Sequence, residues 1–135
     1  MLDTSFVVAV LDTDDPAHNR CLQVAESVSE ELVLPLLALT EVDYLLRREN
    51  RVRVWEQFVL DIAAGAYRLH PPTERELVRA AELEAEYHDL RLGVVDASIV
   101  VTCETLGETK VATLDHRHFS VVRPRHCDAL TLLPS

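Results

Sequence analysis

The sequence predicts an α/β protein, a three-layer α/β/α sandwich around a central, mostly parallel sheet. Three observations point there. Short apolar runs closed by proline, glycine or an acid alternate with longer segments of helical periodicity along the chain. Strands separated by helices in this way imply a parallel sheet covered on both faces. The 135 residues, 48% of them hydrophobic, fill one core and leave little room for a second, with no repeat, linker or low-complexity tract. Residues 1–135 are therefore expected to form one domain.

Each element has a local reason. Met1 to Asp3 reads as the end of a short first strand. Ser5 can cap a helix through Val7, Val8 and Leu11. Asp15-Pro16 pairs an N-cap with a proline at the first helical position and opens a helix through Leu22, Val24 and Val28. Glu31 to Pro35 reads as a buried strand. Helices are expected from about Leu37 to Glu49 and from about Arg51 to Ala64, where Gly65 stops the second. Tyr67 to His70 is a short strand before Pro71-Pro72. Thr73 and Glu76 form a capping box for a helix through Leu83, Tyr87 and Leu90. After Gly93, Val95, Ile99, Cys103 and Leu106 mark the next helical stripe, which Gly107 ends. Lys110 to Leu114 and Ala129 to Leu133 read as the last strands.

Composition narrows the function. No apolar run approaches the roughly 20 residues of a membrane span, and the N-terminal stretch lacks the basic n-region of a secretory signal. The three cysteines, Cys21, Cys103 and Cys127, share no metal-ligand spacing and read as small apolar fillers. These features suggest a reduced, cytoplasmic protein. A net charge of −10 argues against holding nucleic acid by bulk electrostatics. An RNA substrate would need divalent metal or a local arginine patch to supply positive charge.

The candidate chemistry lies in four acids. Ligands of parallel sheets sit at the carboxyl ends of the strands, where Asp3 closes the first strand and Asp115 closes Lys110 to Leu114. Glu41 has Leu37, Tyr44 and Leu45 on its helical face, and Asp96 has Ile99, Val100 and Cys103 on its own. Both therefore appear within apolar stripes, whereas Asp43, four residues before Arg47, reads as an exposed ion pair. A carboxylate turned inward is costly unless it is paired or holds a metal. Four oxygen donors with no surplus of buried-looking Lys or Arg beside them suit Mg²⁺ or Mn²⁺ and argue against zinc. Such a site can activate water against a phosphodiester. Thr113, two residues before Asp115 on the same side of a strand, could hold an activated water, and Ser5 could do the same. Taken singly, each acid also fits a turn, dipole or capping role.

Together these residues resemble a known family. Asp3-Thr4-Ser5, the run T-E-V-D-Y-L-L around Glu41, L-G-V-V-D-A-S-I-V around Asp96 and V-A-T-L-D-H-R-H-F around Asp115 look like a PIN-domain ribonuclease. The resemblance is closest to the VapC-type toxins of bacterial toxin–antitoxin pairs and spans nearly the whole chain. It implies a PIN-like sandwich, a homodimer, Mg²⁺ or Mn²⁺ dependence and hydrolysis of single-stranded or loop RNA. It also implies an antitoxin whose C-terminal segment blocks the site. The family's acids carry over onto Asp3, Glu41, Asp96 and Asp115, and its hydroxyl position onto Thr113. Only two residues precede Asp3, so the first strand is expected to be short.

Two further features bear on this reading. Arg47, Arg48, Arg51 and Arg53 form the densest basic cluster and could contact RNA or an acidic antitoxin segment, or could be a solvated helix junction. His116 and His118 flank Arg117 just after Asp115; capping or core contact is the plainer role for His118. Two alternative functions stand beside the nuclease. A phosphatase or receiver-like phosphoryl-transfer domain would need a second acid where Ser5 stands, or a lysine at a strand's carboxyl end, whereas Lys110 begins its strand. A non-catalytic, metal-stabilised binding module is the other.

Overall fold

The structure is a computed structural model that describes residues 1–135. Its elements are α1 (Thr4–Leu11), α2 (His18–Ser27), β1 (Val33–Pro35), α3 (Ala38–Arg48), α4 (Val52–Ala63), β2 (Arg68–His70), α5 (Glu74–Glu86), α6 (Val94–Leu106), β3 (Lys110–Ala112), α7 (His116–Phe119) and β4 (Thr131–Leu133). A single 3₁₀ turn, His88–Leu90, joins α5 to α6.

Every strand pairing is parallel. β1 pairs with β2 in the register Val33 to Arg68, and β3 pairs with β4 in the register Lys110 to Thr131. The first residues of the chain join the two pairs. Leu2 bridges Ala112 in parallel and donates its N–H to the Val33 carbonyl at 2.9 Å. Asp3 N–H donates to the Ala112 carbonyl and Ala112 N–H to the Met1 carbonyl. The expected first strand is thus a single bridging residue at the centre of the sheet.

The period-two alternation of strand side chains builds the two faces. Met1, Val33 and Val111 enter one core with α5, α6 and Phe119. Their neighbours Leu2, Leu34 and Ala112 enter the other, with α1, α3, Cys21 and Phe58. This is the three-layer α/β/α arrangement. Helix α6 departs from the expected stripe: Ala97 through Cys103 are all buried, so it is covered on every side rather than along one face. None of the helices is long and apolar enough to cross a membrane.

Local chemistry sets the boundaries. Thr73 caps α5 by accepting the Glu76 N–H at 3.1 Å, a contact of the kind worth about 1 kcal/mol. The helix stops at Glu86, so Leu90 falls in the 3₁₀ turn rather than in the helix. Gly65 follows α4 with φ +91°, and Gly107 ends α6 with φ +68°, backbone that disfavours side chains with a Cβ. Two expected caps are replaced. Asp3, not Ser5, caps α1, accepting the Thr4 N–H at 2.8 Å. Asp15 caps a turn, accepting the Ala17 N–H at 2.8 Å, and α2 begins only at His18.

Candidate metal-dependent active site

Asp3, Glu41, Asp96 and Asp115 line one cleft of about 400 Å³, together with Thr4, Ser5, Tyr44 and Leu45. The fold brings them together through helix starts. Asp3 caps α1, Glu41 lies in the first turn of α3, Asp96 in the first turn of α6, and Asp115 caps α7 by accepting the His118 N–H. Four helices thus point their N-terminal ends, with their positive partial charge, at one crevice beside the sheet. That field offsets part of the repulsion among four carboxylates. Asp115 follows β3 by three residues, because the strand ends at Ala112 and not at Leu114.

The acids differ in depth. Asp3 is buried, Asp96 and Asp115 are half-buried, and Glu41 is exposed at the rim. The reading of Glu41 as turned inward is therefore corrected. The buried face of α3 is Ala38, Val42 and Leu46, while Tyr44 is 58% exposed. Apolar neighbours at helical spacing placed Glu41 on the cleft side without placing it in the core.

Hydroxyl groups organise the floor. Thr113, wholly buried, donates to Asp3 Oδ2 at 2.6 Å and accepts the Asp115 N–H at 2.9 Å. Ser5 donates to the same Asp3 oxygen at 2.9 Å and accepts the Leu114 N–H. Both hydroxyls are engaged with protein, so the water-holding role expected of Thr113 gives way to orienting Asp3 and Asp115. Thr4 donates to Glu41 Oε1 at 2.7 Å and ties the rim acid to α1, a link the sequence did not suggest.

Burial raises the Asp3 carboxyl above its ordinary range, partly countered by the hydrogen bonds from Thr113, Ser5 and Thr4. Asp96 is pushed up to about 6, first by burial and then by the charge of Asp3, with Asp115 and Glu41 adding and His118 opposing. No Lys or Arg lines the cleft. A site of converging carboxylates, one driven to about 6, at helix N-termini and without a basic side chain fits a divalent cation.

The structure adds one residue to the acids. His118 Nδ1 lies 2.8 Å from Asp115 Oδ2 and 3.4 Å from Asp96 Oδ2, and ligand atoms of these three residues fall within 4.8 Å of one another. The tightest cluster is therefore not made of oxygen alone. Its sequence signal was the spacing of three between Asp115 and His118, which puts both on one helical face.

The arginine cluster is largely occupied. Arg47 pairs with Asp43 at 2.8 Å, Arg48 with Glu49 at 3.4 Å, and Arg51 with Asp14 and Asp12 at 2.5 and 3.2 Å. Arg53 is exposed on α4. Arg48 also stands 5.9 Å from the centre of the Tyr44 ring, beside the cleft.

Comparison with known proteins agrees with this geometry. Residues 1–123 match the model of the PIN domain family. The chain is 31% identical over 134 residues to ribonuclease VapC26 of Mycobacterium tuberculosis, covering 99% of each. Its fold is similar to the crystal structure of M. tuberculosis VapC20, described as a sarcin-ricin loop cleaving toxin. That match has a TM-score of 0.80 and 20% identity, and covers 86% of this chain and 89% of the other. With the sequence matched from its first residue and the acids gathered at the ends of a parallel sheet, the chain belongs to the PIN-domain family, beside the VapC ribonucleases.

Proposed function

We propose that this protein is a metal-dependent endoribonuclease, the toxin of a type II toxin–antitoxin pair, that hydrolyses RNA phosphodiester bonds. The observation that carries the reading is the convergence of four carboxylates at four helix N-termini in one open cleft. Asp3, Asp96 and Asp115 would hold Mg²⁺ or Mn²⁺, with Glu41 reaching in from the rim. When bound, such an ion supplies positive charge against the phosphodiester and makes water a stronger acid.

The chain's own residues do the rest. Thr113 and Ser5 hold the Asp3 carboxylate in one orientation, and Thr113 fixes the Asp115 backbone at the same time. Thr4 restrains Glu41, which, exposed at the cleft mouth, can accept a proton from attacking water. Tyr44 offers an exposed ring at the same mouth, a surface on which a base can stack. The phosphatase alternative finds no second acid at Ser5, which serves Asp3 instead, and the only lysine, Lys110, pairs with Glu30.

Incubation with single-stranded and stem-loop RNA is the test. Cleavage is expected with Mg²⁺ or Mn²⁺ and none in excess EDTA. Cleavage that survives EDTA, or hydrolysis of a small phosphomonoester in place of RNA, would reject the reading.

The partners follow from the same proposal. The protein is expected to act in the cytoplasm as a homodimer, and to be held inactive by an antitoxin that inserts a cationic side chain among the acids. An arginine there would form charge-assisted, bidentate bonds. Light scattering is expected to return twice the 15.2 kDa chain mass. Combining Asp96→Asn with Glu41→Gln should weaken binding of the cognate antitoxin. Undiminished binding would count against the inserted cation, and a monomer against the dimer.

A further inference from the structure

We propose that His118 is itself a metal ligand, and that the site it forms with Asp96 and Asp115 binds Mn²⁺ in preference to Mg²⁺. The inference rests on the metal-dependent nuclease reading and deepens it.

The argument begins at the far side of the ring. His118 Nε2 lies 3.0 Å from the Leu90 carbonyl in the 3₁₀ turn between α5 and α6. A carbonyl oxygen only accepts, so Nε2 carries a hydrogen. Nδ1 is thus the ring nitrogen left to face the acids, 2.8 Å from Asp115 and 3.4 Å from Asp96, and it is the atom that would present a lone pair to an ion. One nitrogen and two carboxylate oxygens gathered this closely form a donor set that a single cation, a proton or a metal ion, holds together. Holding one ring nitrogen on a backbone carbonyl while the other binds the ion is how metal-ligating histidines are oriented.

The spacing agrees. Ligands at right angles about an octahedral ion with bonds of about 2.1 Å stand about 3.0 Å apart. His118 Nδ1 stands 2.8 Å from Asp115 Oδ2 and 3.4 Å from Asp96 Oδ2, on either side of that value, so the shell forms with small adjustments. The support is rigid: Asp115 Oδ1 accepts the His118 N–H at 3.3 Å, which turns Oδ2 toward the ring. Phe119, the next residue, is fully buried and anchors α7. The His118 side chain remains 19% exposed, so the group stays in reach of solvent ions.

Ligand type then decides the ion. Mg²⁺ takes oxygen almost to the exclusion of nitrogen, whereas imidazole suits first-row transition ions. One nitrogen among carboxylates therefore shifts preference toward Mn²⁺.

The experiment uses the full chain. Mn²⁺ is titrated into wild type and His118→Asn by electron paramagnetic resonance, and the bound Mn²⁺ in wild type is examined for ¹⁴N hyperfine coupling by electron spin-echo modulation. Coupling from one imidazole nitrogen is expected in wild type, together with Mn²⁺ binding weakened about tenfold or more in the variant. Mg²⁺ affinity, read by competition, should change by less than about threefold. The wild-type spectrum needs no variant, so it decides even if His118→Asn folds poorly. Mn²⁺ bound without ¹⁴N coupling overturns the His118 inference and leaves the metal-site reading standing. Wild type that binds no Mn²⁺ overturns both.

Discussion

Asp96→Asn is expected to raise the melting temperature of the metal-free protein while reducing RNA cleavage by at least about a hundredfold. The two effects share a cause. In the folded apo protein the Asp96 carboxyl is driven from 3.8 up to about 6, by burial first and the charge of Asp3 second. Between those values the folded chain keeps a proton that the unfolded chain has released, so stability falls as pH rises from about 4 through about 6. Asparagine has no charge to desolvate and keeps the shape. A rise of that size corresponds to about 3 kcal/mol at full burial, but the Asp96 side chain is 24% exposed, and solvent screening brings the expected gain to roughly 1–2 kcal/mol. The gain should be absent below about pH 4 and complete above about pH 7.

Saturating Mg²⁺ or Mn²⁺ should reverse the order, because wild type gains binding free energy that the variant largely loses. Melting curves of wild type and variant in EDTA and in metal, at pH 4 and pH 7, check all of this. A variant that melts lower than wild type in EDTA at pH 7, or a wild type indifferent to metal, would reject the metal-site role of Asp96.

Arg79→Ala is expected to cost roughly 2–4 kcal/mol of stability, with cleavage per folded molecule unaltered. Arg79 on α5 grips Glu104 on α6 with two bonds of 2.9 and 3.2 Å, and their side chains are only 14% and 11% exposed. Glu104 also accepts the Arg125 N–H at 2.8 Å, so the carboxylate joins α5, α6 and the segment leading to β4. Burial pushes the Glu104 carboxyl up, but the hydrogen bonds from Arg79 and Arg125 and their charges outweigh it and hold the group below its ordinary range. Removing Arg79 leaves a partly buried carboxylate with one backbone donor. Because the folded-state value is depressed, the contribution is present at neutral pH and fades as pH falls below about 4. Urea unfolding at pH 7 and pH 3 measures it. A loss of the same size at both pH values would reject the ionic account.

The alternation of apolar runs made the parallel sheet and its helices legible, and the boundaries fell within a few residues of local signals such as Thr73, Gly65 and Gly107. Ser5 was misread because a cap is a contest between neighbouring side chains. Asp3 wins it, being held in place by Thr113 from 110 residues away. The face of Glu41 was misread for a related reason. Periodicity locates a stripe but not its edge, and the α3 stripe is covered only at Ala38, Val42 and Leu46.

From the sequence alone came the identity of the acids, their residue-type chemistry and the family resemblance, because these depend on which side chains are present and how they are spaced. Tertiary structure decided which groups share the cleft and at what depth. Thr113 reaches Asp3 across the sheet, Thr4 reaches Glu41 on α3, and His118 is oriented by the Leu90 carbonyl between α5 and α6. Each of these is a contact between segments remote in the chain, over distances and angles that no local pattern encodes. Orientation and burial, which set the Asp96 carboxyl at about 6 and turn His118 Nδ1 toward the acids, exist only once the layers have packed.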